Sequence, residues 1–94
     1  MQERTLQGIR EKVRRRQYVM TLHADEEMDN DELTIIDVES AILTGRITAR
    51  QRDWETAESK YVIRRLAIDG VRTVTAVVKR GPTGKLGIIT VYAD

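Results

Sequence analysis

The sequence contains no cysteine, no phenylalanine, one proline, one histidine and only four aromatic residues. Without cysteine, neither a disulfide framework nor a cysteine-ligated zinc site can form. The scarcity of aromatics argues against a base-stacking platform for single-stranded nucleic acid. No apolar run approaches the ~20 residues that span a bilayer, and the polar, basic N-terminus lacks the apolar core of a signal peptide. We therefore expect a cytoplasmic protein that contacts no membrane and carries no cofactor or metal.

The charge is segregated along the chain, although the formal net charge is only +1. Residues 1–23 carry six basic and two acidic side chains, residues 24–45 carry eight carboxylates and no cation, and residues 46–94 carry ten basic and five acidic side chains. Binding partners respond to such patches more than to the total. The acidic segment is either a soluble surface, a docking surface for a basic partner, or a screen that directs an anionic partner to the opposite side.

The length of 94 residues predicts one small domain, residues 1–94, with a single modest core. Apolar periodicity and turn residues predict a two-layer α+β fold. Thr34 and Asp37 have the spacing of a capping box, and Gly45 stands where helices commonly end. The predicted elements are a helix over 2–16, a strand over 18–22, helices over 23–30 and 34–45, and an antiparallel meander of strands over 46–52, 60–68, 71–79 and 85–92.

Alternation along these strands predicts a polar sheet face. We expect the first strand in a central position and the helices on one face of the sheet. Successive side chains of a strand point to opposite faces, so Arg46, Arg50 and Arg52 are predicted on the open face, opposite Ile47. The same reasoning places Ile88, Thr90 and Tyr92 of the last strand on the open face. It also places Thr75 and Lys79 of the third meander strand there. Either parity of the 60–68 strand leaves one of Arg64 and Arg65 on the helix side. This pattern fits a phosphate-binding surface, but also an ordinary solvated face.

Several segments resemble one uncharacterised family. They are Leu22-His23-Ala24 followed by Met28, Leu33-Thr34-Ile35 through Leu43-Thr44-Gly45, Lys60-Tyr61, Gly84-Lys85-Leu86, Ile88 through Tyr92, and the basic amphipathic N-terminal helix. Together they are similar to the domain-of-unknown-function family number 4258. The resemblance implies a fold like that of RelE-type toxins and a role as the toxin of a bacterial toxin–antitoxin pair. Many members carry an arginine in the helix after the His-Ala pair, where this chain has Asp25, Glu26 and Glu27. If that arginine binds phosphate in those members, we expect this chain to bind phosphate less well or at another place.

His23 is the sharpest catalytic candidate under that resemblance. Metal-independent RNA cleavage needs a base for the 2′-hydroxyl and an acid for the leaving oxygen, and histidine suits either role. Arg64 and Lys79 are candidates for stabilising phosphoryl charge, and Tyr92 for donating a proton or holding a base. The alternative is that His23 only joins a strand to a helix, and that Tyr92 only packs. The RNA-binding candidates are Arg46, Arg50, Arg52 and Thr90.

Two function classes follow. The first is an RNA-directed toxin, acting on free RNA or at the ribosome and neutralised by an antitoxin of the zinc-ribbon or helix-turn-helix type; it predicts His23 near several cations on a concave face. The second is a non-catalytic module that binds a protein or nucleic acid; it predicts a buried, satisfied His23. Trp54 is a candidate partner contact or packs back onto the sheet. A monomer or a weak homodimer through an edge strand fits both.

Overall fold

The structure, a computed structural model, describes residues 3–52, 55, 58–81 and 83–94. It confirms the α+β class, with helices packed against one face of a mixed five-stranded sheet within this described part. Trp54, the predicted partner contact, lies outside the described residues. The elements in chain order are α1 (Glu3–Arg14), β1 (Tyr18–Met20), α2 (Leu22–Asn30), α3 (Ile35–Thr44), β2 (Arg46–Arg52), β3 (Ser59–Leu66), β4 (Thr73–Arg80) and β5 (Leu86–Ala93).

The position predicted for the first strand is wrong. The strand order is β1-β5-β4-β3-β2, and β1 pairs in parallel with β5 alone, at an edge of the sheet. The strand also ends two residues early, because the Thr21 side chain accepts a hydrogen bond from the Ala24 backbone at 3.1 Å and caps α2 there. The antiparallel pairing predicted for the meander is confirmed, and the meander ends with β5 beside β1.

The helix ends follow local chemistry. The capping box of Thr34 and Asp37 is confirmed, and Gly45 is the C-terminal cap of α3. Arg10 of α1 donates to the carbonyls of Ile42 at 3.2 Å and Gly45 at 2.8 Å, satisfying groups that a helix end leaves without an intrahelical partner. α1 itself ends at Arg14, two residues before the predicted end.

The core lies between the helices and one sheet face. Ile9 and Val13 of α1 and Val38, Ala41 and Ile42 of α3 are buried against it. The sheet contributes alternate residues, as the pleat requires. These buried sheet residues are Ile63, Val74, Ala76, Val78, Leu86, Ile88 and Val91. The opposite face is called the open face below.

A bulge in β2 overturns part of the predicted open face. Ile47 pairs with Ile63, but the next paired residue is Ala49, so Thr48 is an extra residue. Directly opposed residues of an antiparallel pair share a face. Arg50 pairs with Tyr61, which pairs in turn with the core residue Val78. Arg50, and Arg52 two residues on, therefore lie on the helix-side face, and their predicted place beside Arg46 is wrong.

A second bulge corrects the parity of β5. Val77 pairs with Thr90 and Val78 with Ile88, so Ile89 is the extra residue. Ile88 is consequently buried in the core rather than placed on the open face with Thr90. The register also shows which of the two neighbouring arginines of β3 lies on the open face. Arg64 pairs with Thr75 on the open face, whereas Arg65 pairs with the core residue Val74.

Two polar side chains fix connections around the sheet. Tyr18 of β1 donates its hydroxyl to the Glu39 carboxylate of α3 at 2.7 Å. Burial, followed by this hydrogen bond, raises the pKa of Tyr18 to about 12. In the turn between β3 and β4, backbone N–H groups of Val71 and Arg72 and then the Arg72 guanidinium hold the pKa of Asp69 below its usual value.

Candidate functional site

A row of four side chains crosses the open face. Arg46 on β2 pairs with Arg64 on β3, which pairs with Thr75 on β4, which pairs with Tyr92 on β5. Because directly opposed residues point to the same side, these four side chains form one line, the open-face row. Neighbouring members stand about 5 Å apart at the backbone. The row brings together three residues singled out in the sequence: Arg46, Arg64 and Tyr92.

An ion pair bridges this row over its central strand. The Arg64 guanidinium lies 3.6 Å from Oδ1 of Asp94. Asp94 continues β5, because its N–H and C=O both bond to Thr73 of β4, at 3.0 and 2.8 Å. Arg64 and Asp94 therefore come from β3 and β5, strands about 10 Å apart, and their side chains meet above β4. Both side chains remain partly exposed, so the pair contributes little to stability and can open without a large cost.

Thr75, the direct neighbour of Arg64 in the row, is fully buried. Its Oγ1 atom makes no hydrogen bond within the described part of the chain. A buried polar atom without a partner costs about 1–3 kcal/mol, and such atoms are uncommon enough to need an explanation. The hydroxyl thus stands at the centre of the open-face row with its hydrogen-bonding capacity unused.

The acidic helix α2 lies along the exposed edge of β5. Beyond the short strand β1, backbone N–H groups of β5 have no strand partner on that side. Glu27 accepts the N–H of Val91 at 3.2 Å, and Asp31 accepts that of Ala93 at 2.8 Å. The four-residue spacing of these carboxylates on a helix matches the two-residue spacing of outward N–H groups on the strand. Two carboxylates of the acidic segment therefore stabilise the fold by covering the edge of β5.

His23 is tied to the same edge. Its Nε2 lies 3.2 Å from Oε1 of Glu27, the oxygen that also accepts the Val91 N–H. The histidine side chain is 68% exposed and that of Glu27 only 24%. The burial of His23 predicted by the interaction-module alternative is wrong. His23 therefore lies near the outer edge of β5, beside the backbone of Val91, the residue before Tyr92.

The remaining predicted site residues are more distant from Thr75. Thr90 occupies the open face one row along, paired with Val77. Lys79 stands four residues from Thr75 on β4, about 13 Å away, and its Nζ is 3.1 Å from a carboxylate oxygen of Glu58. With Arg50 and Arg52 on the other face, the structure does not gather the predicted cations around His23.

Three members of this arrangement were not predicted from the sequence. The position of Thr75 was predictable, since strand alternation already placed it on the open face. The contact of Glu27 with His23 was less clearly indicated, by their four-residue spacing on a predicted helix. The contact of Asp94 was not indicated at all, since it depends on the register of β3, β4 and β5.

Comparison with known protein families identifies the family of this chain. The profile of the family described as Domain of unknown function (DUF4258) matches residues 20–93. The chain belongs to this family. The DUF4258 match begins after α1 and includes His23, Arg64, Thr75 and Tyr92, so the predicted resemblance is confirmed over this range.

No curated protein and no solved structure matches the chain. Within the described residues, no helix is long and apolar enough to cross a membrane. The description of the DUF4258 family names no activity, so the function of the chain is inferred from its site.

Proposed function

We propose that this protein is a toxin-like, metal-independent endoribonuclease whose reaction centre is the open-face row. The observation that carries the proposal is the buried, unpartnered hydroxyl of Thr75 between Arg64 and Tyr92. A polar atom held without a partner between a cation and a phenol is suited to a ligand that brings its own oxygens. The α+β architecture with helices on one face agrees with the RelE-type layout that the family resemblance implies.

A phosphodiester fits the position that Asp94 now occupies. Asp94 presents a carboxylate oxygen to Arg64, and a phosphate group presents a similar anionic oxygen to the same guanidinium. In the proposed complex the phosphate replaces Asp94 on Arg64 and uncovers Thr75. The Thr75 hydroxyl then donates to a phosphoryl oxygen, and Arg46 on the neighbouring strand meets the adjoining backbone.

The proposed reaction needs one base, one acid and one cation. The 2′-oxygen attacks the adjacent phosphorus and the bond from phosphorus to the 5′-oxygen breaks, leaving a 2′,3′-cyclic phosphate and a 5′-hydroxyl. With Nε2 held by Glu27, Nδ1 of His23 takes the 2′-hydroxyl proton, and Tyr92 gives its phenolic proton to the leaving 5′-oxygen. Arg64 stabilises the negative charge on the non-bridging oxygens.

Two neighbouring arginines give a matched test. Arg64 and Arg65 are both exposed and adjacent on β3, but they point to opposite faces. With purified protein and single-stranded RNA, we expect Arg64→Gln to lose about 10²-fold or more in cleavage rate, as expected for loss of a charge-stabilising donor. Arg65→Gln should retain the wild-type rate. Equal losses in both variants, or no cleavage by the wild-type protein, would contradict the proposal.

The toxin role is tested in cells. Expression of the chain in a bacterial host should arrest growth, and co-expression of the neighbouring gene should restore it if that gene encodes the antitoxin. The Arg64→Gln variant should be tolerated at the same expression level. Growth arrest that is equal for both proteins would separate toxicity from the open-face row.

A second candidate function is a non-catalytic module that binds RNA. The observation that favours it is that Nε2 of His23 is already engaged by Glu27. This alternative predicts RNA binding that depends on Arg64, no cleavage by the wild-type protein, and equal affinity for RNA in the wild type and His23→Ala.

A further inference from the structure

A second basic site lies at the far end of β4, away from Thr75. Three cations converge on it: Lys12 from α1, Arg80 from the end of β4, and Lys85 just before β5. They line a cavity of about 130 Å³. A single water needs only ~10–15 Å³, so the cavity has room for the five heavy atoms of a phosphate group. Gly81, Gly84 and Leu86 complete the lining of this basic pocket.

The charges in the basic pocket are not neutralised by any residue that the structure describes. No carboxylate is among the described residues that line it. Within the described residues, none of Lys12, Arg80 and Lys85 takes part in an ion pair, whereas Arg14 and Arg15 near the end of α1 both pair with Glu11. A concave site lined by charges of one sign concentrates its field on an ion of the opposite sign. The pocket therefore favours an anion.

The geometry of the pocket is fixed by the fold. The backbone N–H of Leu86 donates to the Gln17 carbonyl at 3.0 Å, and the Gln17 N–H donates to the Lys12 carbonyl at 2.8 Å. These bonds fix the end of α1 against the start of β5. The Arg80 guanidinium lies against α1, 3.5–3.6 Å from the point a Cβ would take at Gly8. The backbone segments that carry Lys12 and Lys85 are thus held next to each other before any ligand arrives, which reduces the entropic cost of binding.

We propose that the basic pocket binds one phosphate group of an RNA strand whose scissile phosphate lies at the open-face row. The choice of RNA rests on the proposed function, whereas the phosphate site rests on the pocket alone. Arg80 is five residues from Thr75 along β4, about 17 Å. A dinucleotide is too short to contact both places, but a longer single strand passing around the end of the sheet reaches them together.

The first measurement is a titration with inorganic phosphate at constant ionic strength, followed by the amide resonances of Gly81, Gly84 and Leu86. In the wild type these shifts should saturate. The double variant Arg80→Gln/Lys85→Gln should bind phosphate at least about tenfold more weakly, since hydrogen bonds to a charged group are lost. The double variant Arg4→Gln/Arg65→Gln removes two exposed cations elsewhere and should bind as the wild type does. Equal weakening in both, or no saturable shifts at these amides, overturns the site.

The second measurement identifies the source of the phosphate. With a long single-stranded RNA, the Arg80→Gln/Lys85→Gln variant should raise KM at least about tenfold with kcat unchanged, while its kinetics on a dinucleotide should match the wild type. Phosphate binding in the pocket without this length-dependent change in KM overturns RNA as the ligand. If the wild type cleaves no RNA, the proposed function fails, and the phosphate titration still decides the pocket.

Discussion

Glu27 closes the exposed edge of β5 by accepting the backbone N–H of Val91 at 3.2 Å. An uncovered strand edge is a template for pairing with another chain, and natural sheets protect such edges. Here the protection comes from carboxylates of a helix, with Asp31 repeating the contact at Ala93. The same Glu27 oxygen contacts His23, so the edge of the sheet and the proposed base are held by one side chain.

Removal of the Glu27 carboxylate should therefore destabilise the fold. Glu27→Ala leaves the buried Val91 N–H without an acceptor, and we expect the free energy of unfolding to fall by about 1–3 kcal/mol. Glu27→Gln keeps an acceptor oxygen and should lose less. Urea denaturation measures both, with the exposed neighbour Glu26→Ala as control, expected within about 0.5 kcal/mol of wild type. Equal losses at positions 26 and 27 would show that the Val91 contact does not matter.

Gly45 sets how closely α3 approaches the strand that carries Arg64. A Cβ at this position would stand 2.4 Å from the Ala41 carbonyl oxygen and 2.7 Å from that of Arg64. Because both atoms belong to the backbone, relief requires the helix or the strand to shift. We expect Gly45→Ala to cost about 1–3 kcal/mol or more in unfolding free energy. At Gly87 the nearest atom would be 3.6 Å away on the flexible Lys79 side chain, so Gly87→Ala should cost clearly less; similar losses would contradict the steric argument.

The features that could be predicted from the sequence depend on neighbours in the chain. The capping box needs only Thr34 and Asp37 three residues later, and the end of α3 needs only Gly45. The antiparallel meander followed from turn residues between apolar runs. Each of these is decided within a few residues, so a single sequence contains the information.

The features that could not be predicted depend on pairing between distant segments. The extra residues at Thr48 and Ile89 reverse the parity of β2 and β5, and nothing local marks either position. The edge location of β1 is set by where the meander brings β5. The contact between Arg64 and Asp94, which joins side chains of two strands on either side of β4, depends on the same long-range pairing. The candidate site was therefore only partly predictable: Arg64 and Tyr92 were found, but the residues that connect them were not.

The raised pKa of Tyr18 predicts a loss of folding stability at alkaline pH. Its pKa is raised from 10.0 to about 12 in the folded protein, so the unfolded state releases this proton first. The stabilisation should be complete below pH 10 and should be lost as the pH rises from 10 toward 12. Tyr18→Phe should remove this component of the pH dependence of unfolding free energy. Tyr61→Phe serves as the control, since the Tyr61 hydroxyl makes no hydrogen bond within the described residues. A Tyr18→Phe curve parallel to wild type above pH 10 would contradict the assignment.

Substitutions at Thr75 can distinguish a structural role of its hydroxyl from a functional one. Thr75→Val keeps the shape of the side chain and removes a buried hydroxyl that has no partner. We expect the free energy of unfolding to stay unchanged or rise by up to about 1–3 kcal/mol. If the hydroxyl contacts the scissile phosphate, the same variant should lose about tenfold or more in RNA cleavage, the loss expected for a hydrogen bond to a charged group.

Thr75→Ser is the matched control for that prediction. It keeps the hydroxyl but loses a buried methyl, so it should be less stable than the wild type by about 1 kcal/mol and yet cleave RNA faster than Thr75→Val. Of the two variants, valine is therefore expected to be the more stable and the less active, and serine the less stable and the more active. If Thr75→Val were both stable and as active as the wild type, the unpartnered hydroxyl would have no part in the reaction, and the proposed centre would have to move away from β4.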